Sequence, residues 1–466
     1  MQEIFVFNNL TKKKELLKVV NANSISIYTC GPTVYDHSHI GHARSSIVWD
    51  TIVKFFRFYG YKVNWTRNIT DIDDKIINRA KDLNLTPTKI ARIYTHSFHE
   101  DMIDLGVDWP DNEPLATQYL TEMYQFIQKL IDNNAAYIVD SDVYFSVSRF
   151  KDYGKLKGQN ITELEKGFGR IEPNEKKKHK LDFALWKGVK SETEYCFDSP
   201  WGKGRPGWHL ECSAMNFAIY KNTIDIHGGG DDLIFPHHEN EIAQSEAFMG
   251  KTFANYWLHN GMIMVNGKKM SKSEGNFVTI KESLNEYNPL AIRLFVLNTH
   301  YRMPLNYTKD ALESAQNAIY RIKESLNGFD ITKFKQISRE DENPSIQALV
   351  DVMSDDLNTP QALAIIFGIV DKINTEKTPD LKQDYQNTLL NLGHILGFNF
   401  LGFNNKTNNK LSKSHSLIVN RFLEWRNTFK AEKNFNAADK IRDILTEANI
   451  SIKDLPESKY TWELNL

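Results

Sequence analysis

The chain has 466 residues, 41% of them hydrophobic and 25% charged, with 57 Lys and Arg against 59 Asp and Glu and a formal net charge of −2. That length suits two to four domains with substantial cores, and the balanced charge excludes a protein that coats nucleic acid indiscriminately. Three cysteines (Cys30, Cys196 and Cys212) without a C-x-x-C pair give no disulfide framework and fit a reducing cytoplasm, and neither a signal peptide nor an apolar run of spanning length is visible.

In chain order, Ile25-Ser26-Ile27-Tyr28-Thr29-Cys30 alternates apolar and small residues as a half-buried strand does, and Gly31-Pro32 ends it. After a loop, Ala43 to Tyr59 carries apolar residues at helical spacing, among them Ile47, Val48, Ile52, Phe55 and Phe56. His39-Ile40-Gly41-His42 therefore falls at or beside a helix N-terminus. Unpaired backbone N–H groups and the positive dipole end make such a place an anion site, imidazoles there can donate to phosphate oxygens, and Gly41 leaves room for a base or ribose. A His-x-x-His by itself is more often a pair of solvated loop histidines. Farther on, Val143-Tyr144-Phe145-Ser146-Val147 reads as strand, and Lys176-Lys177-Lys178-His179-Lys180 as either a phosphate-contacting face or a solvated loop. Cys212 follows Gly207-Trp208-His209, and His237 and Glu241 stand at i and i+4 on one face of a predicted helix. Spacing alone makes a metal site a weak reading, because a scattered cysteine is more often a small buried hydrophobe.

Tyr256 to Lys268 predicts an apolar strand or hairpin with an Asn266-Gly267 turn. The loop that follows, Lys269-Met270-Ser271-Lys272-Ser273, sets ammonium groups beside hydroxyls. That chemistry suits a departing pyrophosphate, since negative charge grows there in the transition state and a closing loop can meet it. Basic surface loops are common, but this one follows the histidine signature in the order that ATP-dependent adenylate chemistry uses. After Asn306 the texture becomes helical: Leu312, Ala315, Ile319, Ile322 and Leu326 form a stripe that stops at Asn327-Gly328. Another helix is predicted from Thr359 as N-cap with Pro360 in its first turn. Asn404 to Lys410 reads as a linker, residues 416 to 446 as continuing helix, and Lys459-Tyr460-Thr461-Trp462 as part of an extended tail.

With both signatures in place, the chain resembles the class I aminoacyl-tRNA synthetases, in the branch that activates cysteine. The match extends through Cys30-Gly31-Pro32-Thr33-Val34-Tyr35-Asp36, Asn68-Ile69-Thr70-Asp71-Ile72-Asp73-Asp74-Lys75, Gly207-Trp208-His209-Leu210-Glu211-Cys212-Ser213, Asp225-Ile226-His227-Gly228-Gly229-Gly230 and Phe235-Pro236-His237-His238-Glu239-Asn240-Glu241. It covers almost the whole chain and is strongest from residue 25 to 280; Glu274 stands where leucine is usual after the lysine signature.

The resemblance implies an α/β fold: a Rossmann-like nucleotide-binding catalytic domain in two halves (1–120 and 200–260) split by a connective insertion (121–199). A lysine-signature and stem-contact module (261–310), an α-helical bundle (311–400) and a small C-terminal anticodon-binding domain (401–466) would follow. It implies a ligase that activates L-cysteine with ATP to cysteinyl-adenylate and pyrophosphate, then transfers cysteine to the 3′ end of tRNA(Cys). His39 and His42 would serve the α-phosphate and ribose, and Lys269 and Lys272 the β and γ phosphates, with Mg2+ arriving on ATP. Gly41, His227 and Asp232 complete the ATP site, and Thr33, Thr70 and Trp208 hold cysteine. One zinc ion (Zn2+) per chain would sit on Cys30, Cys212, His237 and Glu241, with His238 the neighbour most easily mistaken for a ligand, Glu239 in support, and Cys196 structural. A soft metal would separate thiolate from hydroxyl far better than an apolar slot, so no editing domain is needed, and the insertion is too short to hold one. Arg442, Lys453 and Trp462 are candidates for reading unstacked anticodon bases; Trp462 is equally a plug packing the tail onto its helix. A cytoplasmic monomer without membrane partners completes the expectation. Two rivals stand against it. A ligase passing cysteine to an amine on a small sugar would not need residues 410–466, and a tRNA-binding protein without catalysis would not need the intact signatures.

Overall fold

The computed structural model describes residues 3–167, 177–190, 194–270, 275–401, 413–432, 434–447, 450–454 and 460–464. The chain opens with an antiparallel pair, β1 (Phe5–Asn8) and β2 (Lys13–Leu16). β3 (Ser24–Thr29), whose alternation buries Ile25 and Ile27, leads to α1 (Ile40–Tyr59), and β4 (Lys62–Arg67) then lies parallel to β3 with Ile27 opposite Trp65. α2 (Asp74–Asp82) and α3 (Pro87–Asp104) follow. α4 (Leu120–Asp132), β5 (Ala136–Val139), β6 (Asp142–Phe145), α5 (Ile161–Gly167), β7 (Phe183–Gly188) and β8 (Gly204–Pro206) come next, the strands forming an antiparallel sheet in the order β5-β6-β7-β8.

The chain then returns to the first sheet through α6 (Trp208–Tyr220), β9 (Ile224–Gly230), α7 (Glu239–Met249) and β10 (Ala254–Asn260). The parallel order is β10-β9-β3-β4. From β3 the chain first builds outward to β4 and later to β9 on the other side, so the strand order reverses between β3 and β9, where open α/β sheets place their ligands outside the carboxyl ends. α1 packs tightly on this sheet: a Cβ at Gly228 of β9 would lie 1.8 Å from the Trp49 ring, so only glycine lets helix and strand approach so closely. Residues 228–230 belong to strand β9.

β11 (Ile263–Val265) and β12 (Lys268–Lys269) form a hairpin around Asn266 and Gly267, both at positive φ, before α8 (Ile280–Glu286), α9 (Pro289–Leu297) and β13 (Leu305–Tyr307). The remaining helices of this first unit are α10 (Lys309–Ser325), α11 (Pro344–Ser354), α12 (Thr359–Thr375) and α13 (Pro379–Ile395). α12 is capped one residue earlier than its sequence suggests. Asn358 accepts from Gln361 N at 3.2 Å, while the Thr359 hydroxyl donates to Leu297 O at 2.8 Å. Buried Arg293 of α9 donates to Asp50 of α1 at 2.7 Å, Gly106 O at 2.9 Å and Leu396 O at 3.3 Å.

The chain divides into two units, Met1–Phe400 and Leu401–Leu466. In the second, the predicted continuous helix is broken: α14 (Lys413–Ala431) stops and α15 (Phe435–Glu447) starts afresh, with Asn434 Oδ1 accepting from Ala437 N at 3.2 Å. β14 (Ile450–Asp454) and β15 (Tyr460–Leu464) form a hairpin where an extended tail was expected. Val419, Leu423, Ile441, Leu445 and Ile450 make this unit's own core, and Trp462 packs against it. The expected linker at 404–410, Lys176 and Lys459 lie outside the described residues. No helix among the described residues is long and apolar enough to cross a membrane.

Candidate active site

A cavity of about 510 Å³ opens at the carboxyl ends of the parallel strands, its wall including Cys30, Thr33, His39, His42, Trp208, Asp232 and Lys269. His39 is the N-cap of α1: its Nδ1 accepts from Gly41 N at 3.1 Å, while His42 Nδ1 accepts from His39 N at 3.2 Å. This reciprocal cap occupies both Nδ1 atoms, so each neutral ring carries its proton on Nε2. The two rings stack with centroids 3.8 Å apart, and burial, with His39 and Lys75 nearby, holds His42 well below the usual histidine range. A Cβ at Gly41 would press within 2.8 Å of the His39 ring, so the cap also requires glycine there.

The lysine signature enters from the β11–β12 hairpin. Lys269 and Met270 line the cavity, whereas Ser271 to Glu274, and with them Lys272, lie outside the described residues. The chain beyond is stitched to the histidine signature: Ile40 N donates to Val278 O at 3.0 Å and Ile280 N to Ser38 O at 2.9 Å, with His39 paired antiparallel to Thr279. Two motifs more than two hundred residues apart thus share one backbone joint. Arg44, one turn into α1 and buried, donates to the carbonyls of Met262, Tyr301 and Met303 and so fixes the segment that follows β10.

Next to the cavity wall at Cys30, the residues Cys30, Cys212, His237 and Glu241 offer donor atoms that all lie within 4.8 Å of one another. Cys30 Sγ is 3.7 Å from Cys212 Sγ, 3.5 Å from His237 Nε2 and 3.4 Å from Glu241 Oε1, and His237 Nε2 is 3.0 Å from Glu241 Oε1. Donors around a tetrahedral ion with bonds of about 2.0–2.3 Å stand roughly 3.3–3.8 Å apart, so this spacing accepts a metal ion with little movement. The two thiols share a proton: Cys212, hydrogen-bonded by Cys30 and close to His237, is drawn down to about 6, while burial and Cys212 push Cys30 well up. Against the burial that lowers it, Glu241 holds His237 up to about 10, and Glu241 itself, despite burial, is held down to about 2 by His227 and His237. The cluster is thus built to hold positive charge.

A second quartet, Cys30, His227, His238 and Glu241, shares two members with the first. His238 Nε2 lies 3.3 Å from Cys30 Sγ, while its Nδ1 is engaged by His259 Nε2 at 2.8 Å. His227, placed by sequence beside adenosine, is instead fully buried and stacked on Trp257, with Nε2 2.9 Å from Glu241 Oε2: on strand β9 its side chain belongs to the layer behind the cluster. Glu239, expected to support the ligands, turns to the insertion and accepts from the backbone N–H groups of Gly154, Leu156 and Lys157 at 2.8–3.0 Å. Half-buried Cys196 joins neither quartet. Thr33 and Thr70 form an isolated parallel bridge, Thr70 buried and Thr33 at the cavity wall, and Trp208 stacks on His237 at 4.3 Å.

Sequence reasoning passed over His209, whose Nδ1 lies 2.9 Å from His237 Nδ1, and Asn68, whose Oδ1 accepts from Gly31 N at 3.0 Å beside Cys212. His209 had a local signal, since it stands three residues before Cys212 on the same face of α6. A second cavity, of about 670 Å³, lies where Ile77, Leu85, Pro87 and Tyr195 meet. Neither signature reaches it, and its Asp74 and Glu194 are paired with Arg205 at 2.6 and 3.3 Å.

Residues 16–317 match the family described as tRNA synthetases class I (C) catalytic domain, and residues 349–401 the DALR domain. The cysteine–tRNA ligase of Sulfurihydrogenibium is 43% identical over 97% of this chain and 98% of its own length. Those of Coxiella burnetii and Aquifex aeolicus are 43% and 41% identical, each over at least 96% of both chains. Among solved structures, Mycobacterium tuberculosis methionyl-tRNA synthetase in complex with methionyl-adenylate superposes with a TM-score of 0.56 at 14% identity, covering 80% of this chain and 89% of that one. The Agrobacterium radiobacter LeuRS-tRNA-LeuAMS complex gives 0.57 at 12%, covering 82% and 84%. At these identities the structural likeness is one of fold.

Proposed function

Since the chain belongs to the cysteine–tRNA ligases of the class I aminoacyl-tRNA synthetases, we propose that this cavity forms cysteinyl-adenylate on a thiol selected by zinc and then passes cysteine to tRNA(Cys). The observation that carries the reading is a two-thiol, imidazole and carboxylate quartet whose Cys30 lines the same cavity as the capped histidine pair.

In the first step a carboxylate oxygen of cysteine bonds to the α-phosphorus of ATP as the bridge to pyrophosphate breaks, so negative charge grows on the α-phosphate oxygens and the leaving group. His39 and His42 donate from Nε2 to the former, and Lys269 with Lys272 takes up charge on the β and γ phosphates, where Mg2+ travels with ATP. Because His42 stays neutral, its role is that of an oriented donor. Asp232 and Gly41 face the nucleoside, Thr33 and Trp208 orient cysteine, and buried Thr70 supports them through its bridge to Thr33. Cys30, Cys212, His237 and Glu241 are the residues that would hold zinc; when bound, it supplies a soft Lewis acid that favours thiolate over a serine hydroxyl. His227 and His209 hold Glu241 and His237 in place from behind. In the second step the terminal adenosine hydroxyl of tRNA attacks the activated carbonyl and AMP leaves. In the second unit, exposed Arg442 and Lys453 are offered to the anticodon, while Trp462 serves the core.

ATP-dependent attachment of labelled cysteine to tRNA, with serine as control, tests the whole reading; charging with serine as readily as with cysteine defeats it. Cys30→Ser tests the metal: bound zinc and cysteine-dependent pyrophosphate exchange should fall together. Normal zinc content with normal affinity for cysteine removes Cys30 from the site.

A further inference from the structure

One buried cation at the edge of the cavity has no part in the scheme above. Arg67, the last residue of β4, is 4% exposed, and its Nε and Nη2 both donate to Glu113 Oε1, at 3.2 and 2.6 Å. Its Nη1 is buried and has no hydrogen-bond partner among the described residues, although Arg67 lines the cavity. A buried donor left unmatched is costly enough that native structures seldom keep one without a use.

The setting is built with care. Residues 112–115 run beside the end of β4, with Arg67 N donating to Asn112 O at 3.0 Å and Ile69 N to Pro114 O at 2.9 Å, which delivers Glu113 to the guanidinium. His99 of α3 holds the other Glu113 oxygen at 2.6 Å, and the guanidinium carbon lies 4.8 Å from the Phe98 ring centroid and 5.6 Å from that of Trp65. Arg67 is thus held by Glu113 beside two aromatic rings, and Glu113 balances its charge once.

Location decides what the remaining donor is for. The sheet order is β10-β9-β3-β4. The nucleoside end of the cavity, at Gly230, Asp232, Gly261 and Met262, belongs to β9, β10 and the segment beyond, and the thiol cluster begins where β3 ends. Apart from Thr70, which follows β4, the groups assigned to the two substrates of adenylate formation therefore run from β3 toward β10. The β4 side is left for the third substrate, whose approach is that of a polyanion and whose terminal hydroxyl must reach the activated carbonyl. Building on the ligase reading above, we propose that Arg67, braced by Glu113 and His99, seats the 3′-terminal phosphodiester of tRNA and so places its ribose for acyl transfer.

The test uses the full chain with Arg67→Met, which keeps the stem over Phe98, and Arg67→Lys, which keeps a charge beside Glu113. Cysteine-dependent pyrophosphate exchange, which needs no tRNA, should stay within about threefold of wild type. Single-turnover transfer from preformed adenylate should need roughly 10–100-fold more tRNA with Arg67→Met, the loss expected for one charged hydrogen bond. Shortening tRNA by its 3′-terminal nucleotide should weaken its binding to wild type and leave binding to Arg67→Met unchanged. Exchange lost in both variants, transfer unaltered in Arg67→Met, or equal weakening by the shortened tRNA in both proteins overturns the assignment. Wild-type chain that releases pyrophosphate with cysteine yet charges no tRNA removes the parent reading and Arg67 with it. Normal wild-type charging matched by Arg67→Met removes Arg67 alone.

Discussion

Neither the imidazole nor the carboxylate of the thiol cluster stands by itself. His237 is held through Nδ1 by His209 at 2.9 Å, and Glu241 through its second oxygen by His227 at the same distance. Burial, with His237 alongside, keeps His209 well below the ordinary histidine range, so it is neutral and able to accept from His237 Nδ1–H, which leaves His237 Nε2 facing the cluster, where it would give up its proton to take a metal. His209→Ala should therefore leave all four donors in place and still lower metal affinity by about 10–100-fold, measured as zinc retained after dialysis against a graded chelator. Retention equal to wild type would show that Trp208 stacking alone orients His237. Much of this cluster was open to reading before any coordinates, although spacing alone left it weak: the family resemblance implied the four names, Cys30, Cys212, His237 and Glu241, which the fold brings together. The supporting layer was not, because it depends on which way a ring faces. Nothing in Asp225-Ile226-His227-Gly228 says that the His227 ring lies behind Glu241 instead of beside a nucleoside. Glu239 likewise differs from Glu241 only in helical phase: two positions apart at the start of α7, the two carboxylates leave the helix on different faces.

At the scale of an element, α1 joins stability to chemistry through a single residue. His39 contributes an acceptor to the cap and, by the same bond, is committed to the tautomer that donates from Nε2. The two roles separate under substitution. Asn is among the best N-caps, so His39→Asn should change thermal stability by no more than about 0.5 kcal/mol, yet it removes the ring donor and should slow adenylate formation by about 10²–10³-fold. His39→Ala should lose both. Thermal melts beside pyrophosphate-exchange rates check this, and a His39→Asn enzyme of normal rate would leave His39 a cap and nothing more. Elements whose signals are local read well from sequence, as with the strand ending at Cys30, the stripe from Leu312 to Leu326 and the Asn266-Gly267 turn. Where apolar periodicity runs through a break, it misleads. α14 and α15 both bury one face against the same small core, so the pattern continues across the gap, and only Asn434, capping α15, marks the restart.

Across the first unit as a whole, the helix that carries the histidine signature is locked to distant chain by one buried ion pair. Buried Asp50 accepts from Arg293, Lys54 and Asp108 N, and Arg293 goes on to the carbonyls of Gly106 and Leu396. Four stretches of chain thus meet at one charge: α1, the turn after α3, α9 and the end of α13. Burial alone would push the Asp50 carboxyl up, but Arg293 and Lys54 outweigh it and hold it below the ordinary aspartate value. A carboxylate whose pKa is lowered by folding adds stability that is complete above its unfolded pKa, near 4, and that fades as pH falls through the lower folded value. Between neutral pH and about pH 5 the pair should therefore contribute a constant amount, with the loss confined below about pH 4. Asp50→Asn leaves the guanidinium of Arg293 buried and uncompensated, and should cost about 3–5 kcal/mol at pH 7, while the difference from wild type narrows as acid protonates the native carboxyl. Adding Arg293→Met removes the stranded charge, so the double variant should be more stable than Asp50→Asn alone. Denaturant melts at pH 7 and pH 3.5 on the three proteins decide it: a gap that does not narrow in acid, or a double variant no better than the single one, would mean that Asp50 holds these stretches together by packing and hydrogen bonding, with its charge playing no part.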